Sequence, residues 1–386
     1  MRRRTRWIIC VLCLIASMSL AACGGDTGGP TPVPTFQQTP TPSPTADPIL
    51  VSVDRGTSTD TIRMRRMSDG SEVAKTEIPS SAVVVGVAGG RAIWLEGGTV
   101  LKAMDTEGKV SQIGQLPSTP TGRIVFNPDG TTYAWTRTEP QGAQIHSVLY
   151  VSGKPVVDQV EAGKVLEPVV WTARGLVIQH AATGLGGYIP LGDVTGRTEL
   201  LNTDNGQRKP LTDDKCLFLD LATDGTYACR VPAKGLWGAK SVHIVHPDGS
   251  TTDVDVPVVG HFQFAGAASF RPDLETQELV IGGASGSGAS GTPPGQGERY
   301  ETDVVDLQSA TMRTYGPTGL EPGNGSWAWA PGSWLVAWRP SGASGGDPGI
   351  YLIGLTGATH QLARSGEPIG VITGSSSSGG GGGGPL

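Results

Sequence analysis

The stretch Gly122 to Thr136, G-R-I-V-F-N-P-D-G-T-T-Y-A-W-T, decides the fold of this chain. An apolar strand ends in the turn Asn127-Pro128-Asp129-Gly130, and a second strand carrying Trp135 follows. Proline fixes φ at the start of such a turn, and glycine adopts the positive φ that closes it. The stretch therefore predicts an antiparallel hairpin.

Related stretches recur along the chain, and a second hairpin with its own pattern follows each of them. Between Pro48 and Gly374 there is almost no helical periodicity, so the body is predicted to be all-β. Two hairpins make a four-stranded unit of about forty residues, which is the size of a propeller blade. The clearest copies of the first hairpin are V-V-W-T-A-R-G-L-V-I-Q (169–179), L-A-T-D-G-T-Y-A-C-R (221–230), S-F-R-P-D-L-E-T-Q-E-L-V-I (269–281) and W-A-W-A-P-G-S-W-L-V-A-W (327–338).

Counting these units predicts a seven-bladed β-propeller over residues 49–374. Residues 49–79 supply only three strands, and the segment from Pro368 to Thr373 can supply the missing innermost one. Pairing the two ends of the chain would close the ring and remove an open sheet edge. Six or eight blades also fit, because residues 261–316 are hard to divide. The six complete units have innermost strands that begin near Ala82, Arg123, Pro168, Cys216, His261 and Ser326.

The repeat resembles the TolB-type and WD-like propeller repeat, in which a strand ending in a Ser/Asn-Pro-Asp-Gly turn precedes a short apolar strand. Asn127 to Gly130 is the close match, while the same kind of turn at His246 to Gly249 lies in the second hairpin of its unit. The resemblance extends over nearly all of residues 49–374. It implies the propeller fold and nothing about partners.

The N-terminus has the order of a secretory signal, with arginines first, then an apolar run from Trp7 to Leu20, then small residues. The run is shorter than the roughly 20 residues that cross a bilayer. Leu20-Ala21-Ala22-Cys23 resembles the lipobox of bacterial lipoproteins, which implies cleavage after residue 22 and a diacylglyceryl group on Cys23, with palmitate among its acyl chains. An ordinary signal peptide with a chance cysteine is the alternative.

The flanks of the predicted propeller are low in complexity. Residues 23–48 carry the lipidation site and alternating Thr and Pro, which favour an extended polyproline II stalk. Residues 375–386 form a disordered Ser/Gly tail. We therefore expect a monomer anchored in the cell membrane through the Cys23 lipid and facing outside the cytoplasm, at the cell surface or in the periplasm.

Charge and cysteine usage fit that location. Loss of residues 1–22 removes four arginines and moves the formal net charge from −6 to −10, which argues against nucleic acid as a partner. Cys10 and Cys13 leave with the signal, so Cys216 and Cys229 remain in the folded part. An even pair in an exported protein predicts a disulfide, with a buried free thiol at Cys229 as the alternative.

Few residues suggest a catalytic, metal-binding or ligand-binding site. His243 and His246 lie on a strand, where their spacing points them to opposite faces, so no metal site is predicted. No cofactor is predicted, and no serine is visibly matched to a histidine and an acid. Trp327 and Trp329 lie two apart on an innermost strand. They are weak candidates for a ligand-stacking surface, and packing between blades is the favoured interpretation.

Loop lengths point to a working surface. The connections between second and third strands are long in the fourth, sixth and seventh units, at 182–197, 283–298 and 340–349. Binding sites gather on loops held by a rigid scaffold. The sequence predicts a binding or scaffold module whose protein or glycan partner contacts this face. The alternative is an envelope enzyme that uses the channel, either a glycan lyase or hydrolase or a quinone-dependent dehydrogenase. That enzyme would need acids, histidines and an arginine converging at the channel mouth.

Overall fold

A computed structural model describes residues 47–182, 195–213, 215–232, 239–255, 264–272, 278–285, 299–317, 319–321, 327–342, 346–354 and 356–373. These residues form seven four-stranded antiparallel sheets in a ring, and no helix occurs among them. The predicted seven-bladed β-propeller is confirmed. The proposed signal peptide, Cys23, residues 23–46 of the stalk and the Ser/Gly tail lie outside the described residues.

Blades 1 to 4 include the first strands of the chain and also its last strand. Blade 1 comprises β1 (Ile49–Asp54), β2 (Thr59–Arg66), β3 (Glu72–Pro79) and the C-terminal strand β28 (Glu367–Ile372). Blade 2 comprises β4 (Val83–Ala88), β5 (Arg91–Glu96), β6 (Val100–Met104) and β7 (Val110–Gln115). Blade 3 comprises β8 (Ile124–Phe126), β9 (Tyr133–Gln141), β10 (Gln144–Val151) and β11 (Lys154–Ala162). Blade 4 comprises β12 (Lys164–Thr172), β13 (Gly175–Ala182), β14 (Thr195–Leu201) and β15 (Arg208–Thr212).

Blades 5 to 7 follow in chain order. Blade 5 comprises β16 (Leu217–Leu221), β17 (Tyr227–Pro232), β18 (Ala239–Val245) and β19 (Thr251–Asp255). Blade 6 comprises β20 (Phe264–Phe270), β21 (Glu278–Ser285), β22 (Arg299–Asp306) and β23 (Thr311–Thr314). Blade 7 comprises β24 (Ala328–Ala330), β25 (Trp334–Arg339), β26 (Gly349–Ile353) and β27 (Thr359–Ala363).

The two ends of the propeller pair as the sequence predicts. β28 lies antiparallel to β1, with Ile49 opposite Ile372 and Val53 opposite Glu367. It becomes the innermost strand of blade 1, so blade 1 contains strands from both ends of the propeller. Ile369 and Ile372 are buried in the core that blade 1 shares with blade 2. The ring is thus closed by hydrogen bonds and by apolar packing.

The Asn-Pro-Asp-Gly turn joins β8 to β9 and also contacts the neighbouring blade. Within the turn, Gly130 N donates to Asn127 O at 2.9 Å. Gly130 then lies against the Gly89–Gly90 turn of blade 2, and Arg91 Nη2 donates to Gly130 O at 3.2 Å. The same arrangement recurs between blades 4 and 5, where Arg174 Nε donates to Thr223 O at 2.7 Å. The repeated turns therefore hold adjacent blades together as well as reversing the chain.

The apolar core lies between blades. Trp94 packs among blade 1 residues such as Ile62, and Trp135 packs against Ile93 and Leu95 of blade 2, so both tryptophans face the preceding blade. Trp338 instead packs in the cluster that contains Leu50 of blade 1, its following blade. The sequence repeats align Trp94, Trp135 and Trp338 at one position, but the structure places Trp338 on the opposite face of its sheet from the other two. A shift of one residue sends a strand side chain to the other face of the sheet.

Cys216 and Cys229 form a disulfide in blade 5, with Cα atoms 5.3 Å apart. The bond joins the start of the innermost strand to β17, across a sequence separation of 13 residues. A disulfide that closes a loop of that length stabilises the folded state by about 3 kcal/mol, because it lowers the conformational entropy of the unfolded chain. Of the two alternatives left open by the sequence, the structure shows the disulfide.

Candidate functional site

One end of the ring carries two kinds of connection. Because successive strands of a blade alternate in direction, the link between second and third strands lies at the same end as the link to the next blade. We call this end the loop face. The described ends of the long connections predicted as a working surface lie here, and residues 183–194, 286–298 and 343–345 within them are outside the described residues.

A cavity of about 470 Å³ opens on the loop face across blades 2, 3 and 4. Its volume falls within the range of about 300 to 1,000 Å³ that is typical of small-ligand sites. It takes residues from the starts of β4 and β8, from the β5–β6 turn, from the β7–β8 connection and from β12. The lining residues are Ser81, Val83, Val84, Val85, Leu95, Gly98, Thr119, Pro120, Gly122, Arg123, Ile124 and Glu167.

The apolar part of the cavity wall is aliphatic, and Ser81, Thr119, Arg123 and Glu167 supply its polar part. Val83 is 59% exposed although it begins an innermost strand, whereas Leu95 and Ile124 behind it are buried. None of the described residues that line the cavity is aromatic. An exposed branched side chain at the mouth of an aliphatic recess is suited to apolar contact with a ligand.

Backbone contacts hold the β7–β8 connection that forms one side of the cavity. Thr121 donates twice to Thr136 O, from its N at 2.9 Å and from its Oγ1 at 3.0 Å. The neighbouring residue Gly122 lies so close to β12 that a Cβ there would approach Glu167 Oε1 to 3.1 Å. The connection is therefore seated on the scaffold, and Gly122 lets it approach blade 4.

Charged groups of both signs surround the cavity. Arg123 is exposed and Glu167 is half-buried, and Gln179 Nε2 donates to Glu167 Oε2 at 3.4 Å. Beside the β5–β6 turn, Lys102 Nζ lies 2.8 Å from Glu96 Oε1. The hydrogen bond from Lys102 lowers the pKa of Glu96 below its usual range, so Glu96 is a carboxylate at neutral pH. The positive charges of Arg123 and Lys102 therefore equal in number the negative charges of Glu167 and Glu96 around the cavity.

Carboxylates on the innermost strands are held by structural contacts. Asp220 Oδ2 of blade 5 accepts a hydrogen bond from Phe270 N of blade 6 at 2.8 Å. Glu367 of β28 lies 3.4 Å from Arg55, which also contacts the buried Asp60 at 2.8 Å. Burial raises the pKa of Asp60, but hydrogen bonds from Gly56 N and Arg55 outweigh it and leave the pKa lowered. These acids link strands and blades.

The most developed histidine–carboxylate cluster lies inside the seam between blades 3 and 4. His180 is completely buried, its Nδ1 is 2.6 Å from Glu161 Oε2, and its Nε2 is 3.7 Å from Glu199 Oε1. Arg197 and Arg208 contact the same two glutamates. General acid–base chemistry requires contact with a substrate. A histidine without exposed surface joins blades instead.

Cross-strand partners of histidines were missed by sequence reasoning. His146 Nε2 lies 2.6 Å from Asp158 Oδ1, and His243 contacts Asp253, in both cases across a strand pair. His246 contacts Thr252 rather than sharing a ligand with His243. No group of three or more possible metal ligands occurs within the described ranges. The pairs could have been found only with the strand register known.

Trp327 and Trp329 lie in the seam between blades 6 and 7. Trp327 is 1% exposed and packs with Leu335 and Tyr315. Trp329 is half-buried, and its Nε1 donates to Ser269 Oγ of blade 6 at 2.9 Å. Trp327 has no exposed ring for stacking, and both tryptophans contribute to blade packing.

Seven closed blades with a ligand-sized cavity on the loop face define a β-propeller whose scaffold can support binding or catalysis. Within its described residues the chain has no helix long and apolar enough to cross a bilayer. No protein-family model matches the sequence, and no curated protein does.

Solved structures resemble the chain at the level of the propeller fold. Oligogalacturonate lyase from Vibrio parahaemolyticus is 10% identical with a TM-score of 0.49, over 80% of this chain and 91% of that one. Another oligogalacturonate lyase, in complex with manganese, is 14% identical with a TM-score of 0.45, over 82% of this chain and 85% of that one. Acylaminoacyl peptidase from Pyrococcus horikoshii is 12% identical with a TM-score of 0.48, over 81% of this chain and 49% of that one. These similarities concern architecture alone.

Proposed function

We propose that this chain is a lipid-anchored, extracytoplasmic β-propeller that acts as a binding or scaffold module at the cell envelope. Its loop face contacts a protein or glycan partner at the cavity of blades 2 to 4. The observation that carries the proposal is the cavity itself, which lies on the loop face and has the exposed Val83 at its mouth. The disulfide supports export, because such bonds persist in oxidising compartments.

The enzyme alternative receives less support from the described residues. The innermost-strand acids Asp220 and Glu367 are tied to neighbouring strands, and His180 is completely buried. A lyase, hydrolase or quinone-dependent dehydrogenase needs groups that reach the substrate. Arg123 and Glu167 line the cavity, but no histidine is among its described lining residues, and its aliphatic side chains supply binding energy rather than proton transfer.

Replacing Cys23 tests the anchor. Cys23→Ala is expected to move the protein from the membrane fraction to the soluble fraction, because acyl chains that contribute about 0.8 kcal/mol per buried CH₂ are then absent. Incorporation of labelled palmitate should disappear in the same variant. A matched Cys10→Ala variant should keep both properties. Retention of Cys23→Ala in the membrane, with its label, would overturn the lipoprotein assignment.

A photo-crosslinking residue at Val83 tests the binding face in cells. We expect it to give a discrete crosslinked product, because Val83 is 59% exposed at the cavity mouth. The control is the same residue at Val110, which is 42% exposed and begins β7, at the end of blade 2 opposite the loop face. Equal products from both positions, or products from Val110 alone, would contradict the proposed face.

A further inference from the structure

We infer that the cavity on blades 2 to 4 takes an extended polypeptide segment of a partner protein, which inserts an aliphatic side chain between Val83 and Ile124. This inference rests on the proposed function and narrows its ligand from protein or glycan to peptide. Three observations carry it: the chemistry of the walls, the sheet edge beside them and the charge of the rim.

The walls suit an aliphatic side chain better than a sugar. Val83, Val85, Leu95 and Ile124 are branched, and no aromatic ring is among the described lining residues. Protein sites place aromatic faces against ligand rings where stacking contributes to binding. A side chain of leucine or isoleucine gains binding free energy when it is buried on aliphatic walls. The volume of about 470 Å³ leaves room for the flanking residues of a segment.

A sheet edge runs along the cavity. β4 ends the order β4-β5-β6-β7, and in its sheet it pairs with β5. Its register shifts between Val84 and Gly86, next to the part that lines the cavity. An edge strand presents backbone N–H and C=O groups that an added strand can pair with. An extended peptide offers the same groups at the same spacing, and a sugar does not.

The rim excludes a strongly charged ligand. Arg123 and Glu167 give the cavity one charge of each sign, and the mature chain is acidic overall. A polyanionic ligand such as a uronic acid polymer needs a basic surface. A segment with mixed or little charge meets no net repulsion at this rim.

Selection from a displayed library of random peptides tests the inference with the full chain in detergent as bait. Selected peptides are expected to share one aliphatic residue at a fixed position. Val83→Glu should weaken their binding by about tenfold or more, because a carboxylate replaces the apolar contact at the mouth. Val110→Glu makes the same change at an exposed valine on an outermost strand, at the end of blade 2 opposite the loop face, and should leave affinity unchanged. N-methylation of alternate residues of a selected peptide should weaken it as well, because it removes strand-pairing donors.

The outcomes separate this inference from the proposed function. Peptides without a shared aliphatic residue, or peptides that bind Val83→Glu as tightly as the parent, would overturn it. A panel of muropeptide glycans and chitooligosaccharides is tested in parallel. If a glycan binds and Val83→Glu abolishes that binding, the binding face stands and the peptide assignment fails. If neither class binds and the Val83 crosslink is absent in cells, both proposals fail. Matching thermal unfolding curves for both variants would exclude misfolding as the cause.

Discussion

A chain that ends at Arg364 is expected to lose most of its stability and to aggregate. The truncation removes β28, and with it the strand that pairs with β1 from Ile49 to Val53. Ile369 and Ile372 leave the core of blades 1 and 2, and β1 becomes an open apolar edge. Two buried isoleucines and one strand pairing amount to about 5 kcal/mol or more, which is comparable to the stability of a whole domain.

A chain that ends at Thr373 is the matched control, because it retains β28 and lacks only the Ser/Gly tail. Thermal unfolding followed by circular dichroism, together with size-exclusion chromatography, measures both truncations. The control should unfold at the temperature of the full chain as a monomer. If the shorter chain matched it in both measurements, closure by β28 would not hold the ring together.

The blade count could be predicted because hairpin signals are local, and the ring closure could be predicted from the number of strands at each end of the propeller. An Asn-Pro-Asp-Gly turn between two apolar runs specifies a hairpin without reference to the rest of the fold. A chain that begins with three strands and ends with one spare strand can form a full blade only by pairing its ends. Pro168 was placed at the start of an innermost strand, but β12 begins four residues earlier, at Lys164. Strand ends carry weaker signals than strand centres.

Contacts between blades could not be predicted in the same way. Trp338 faces the following blade, whereas Trp135 faces the preceding one. The sequence does not reveal this difference, because loose repeats can be aligned only to within one residue and the side chains of a strand alternate between its two faces. The cavity combines residues from blades 2, 3 and 4 that lie far apart in the sequence, and the motif that contains Gly122 to Ile124 signals a hairpin and not a cavity. The partners of His146 and His180 likewise depend on register and on blade order.

Gly130→Ala is expected to destabilise the propeller by about 3 kcal/mol or more, for two reasons that act together. Gly130 has a φ of +68°, where a side chain costs about 1 kcal/mol. A Cβ would also lie 2.8 Å from Gly89 N and 2.9 Å from Gly89 Cα, which are backbone atoms of the preceding blade. Backbone cannot move aside as a flexible side chain can, so blades 2 and 3 must separate. Denaturant unfolding measures the loss.

Gly142→Ala separates the two causes. Gly142 has nearly the same φ, +66°, in the turn between β9 and β10, but no atom lies within 4 Å of its Cβ position. Its substitution should cost about 1 kcal/mol, the conformational part alone. The difference between the two variants then measures the close approach of adjacent turns. Equal losses would show that the repeated turn only reverses the chain. A larger loss at Gly130 means that the same turn, with its counterpart at Arg174 and Thr223, also sets the spacing of the blades.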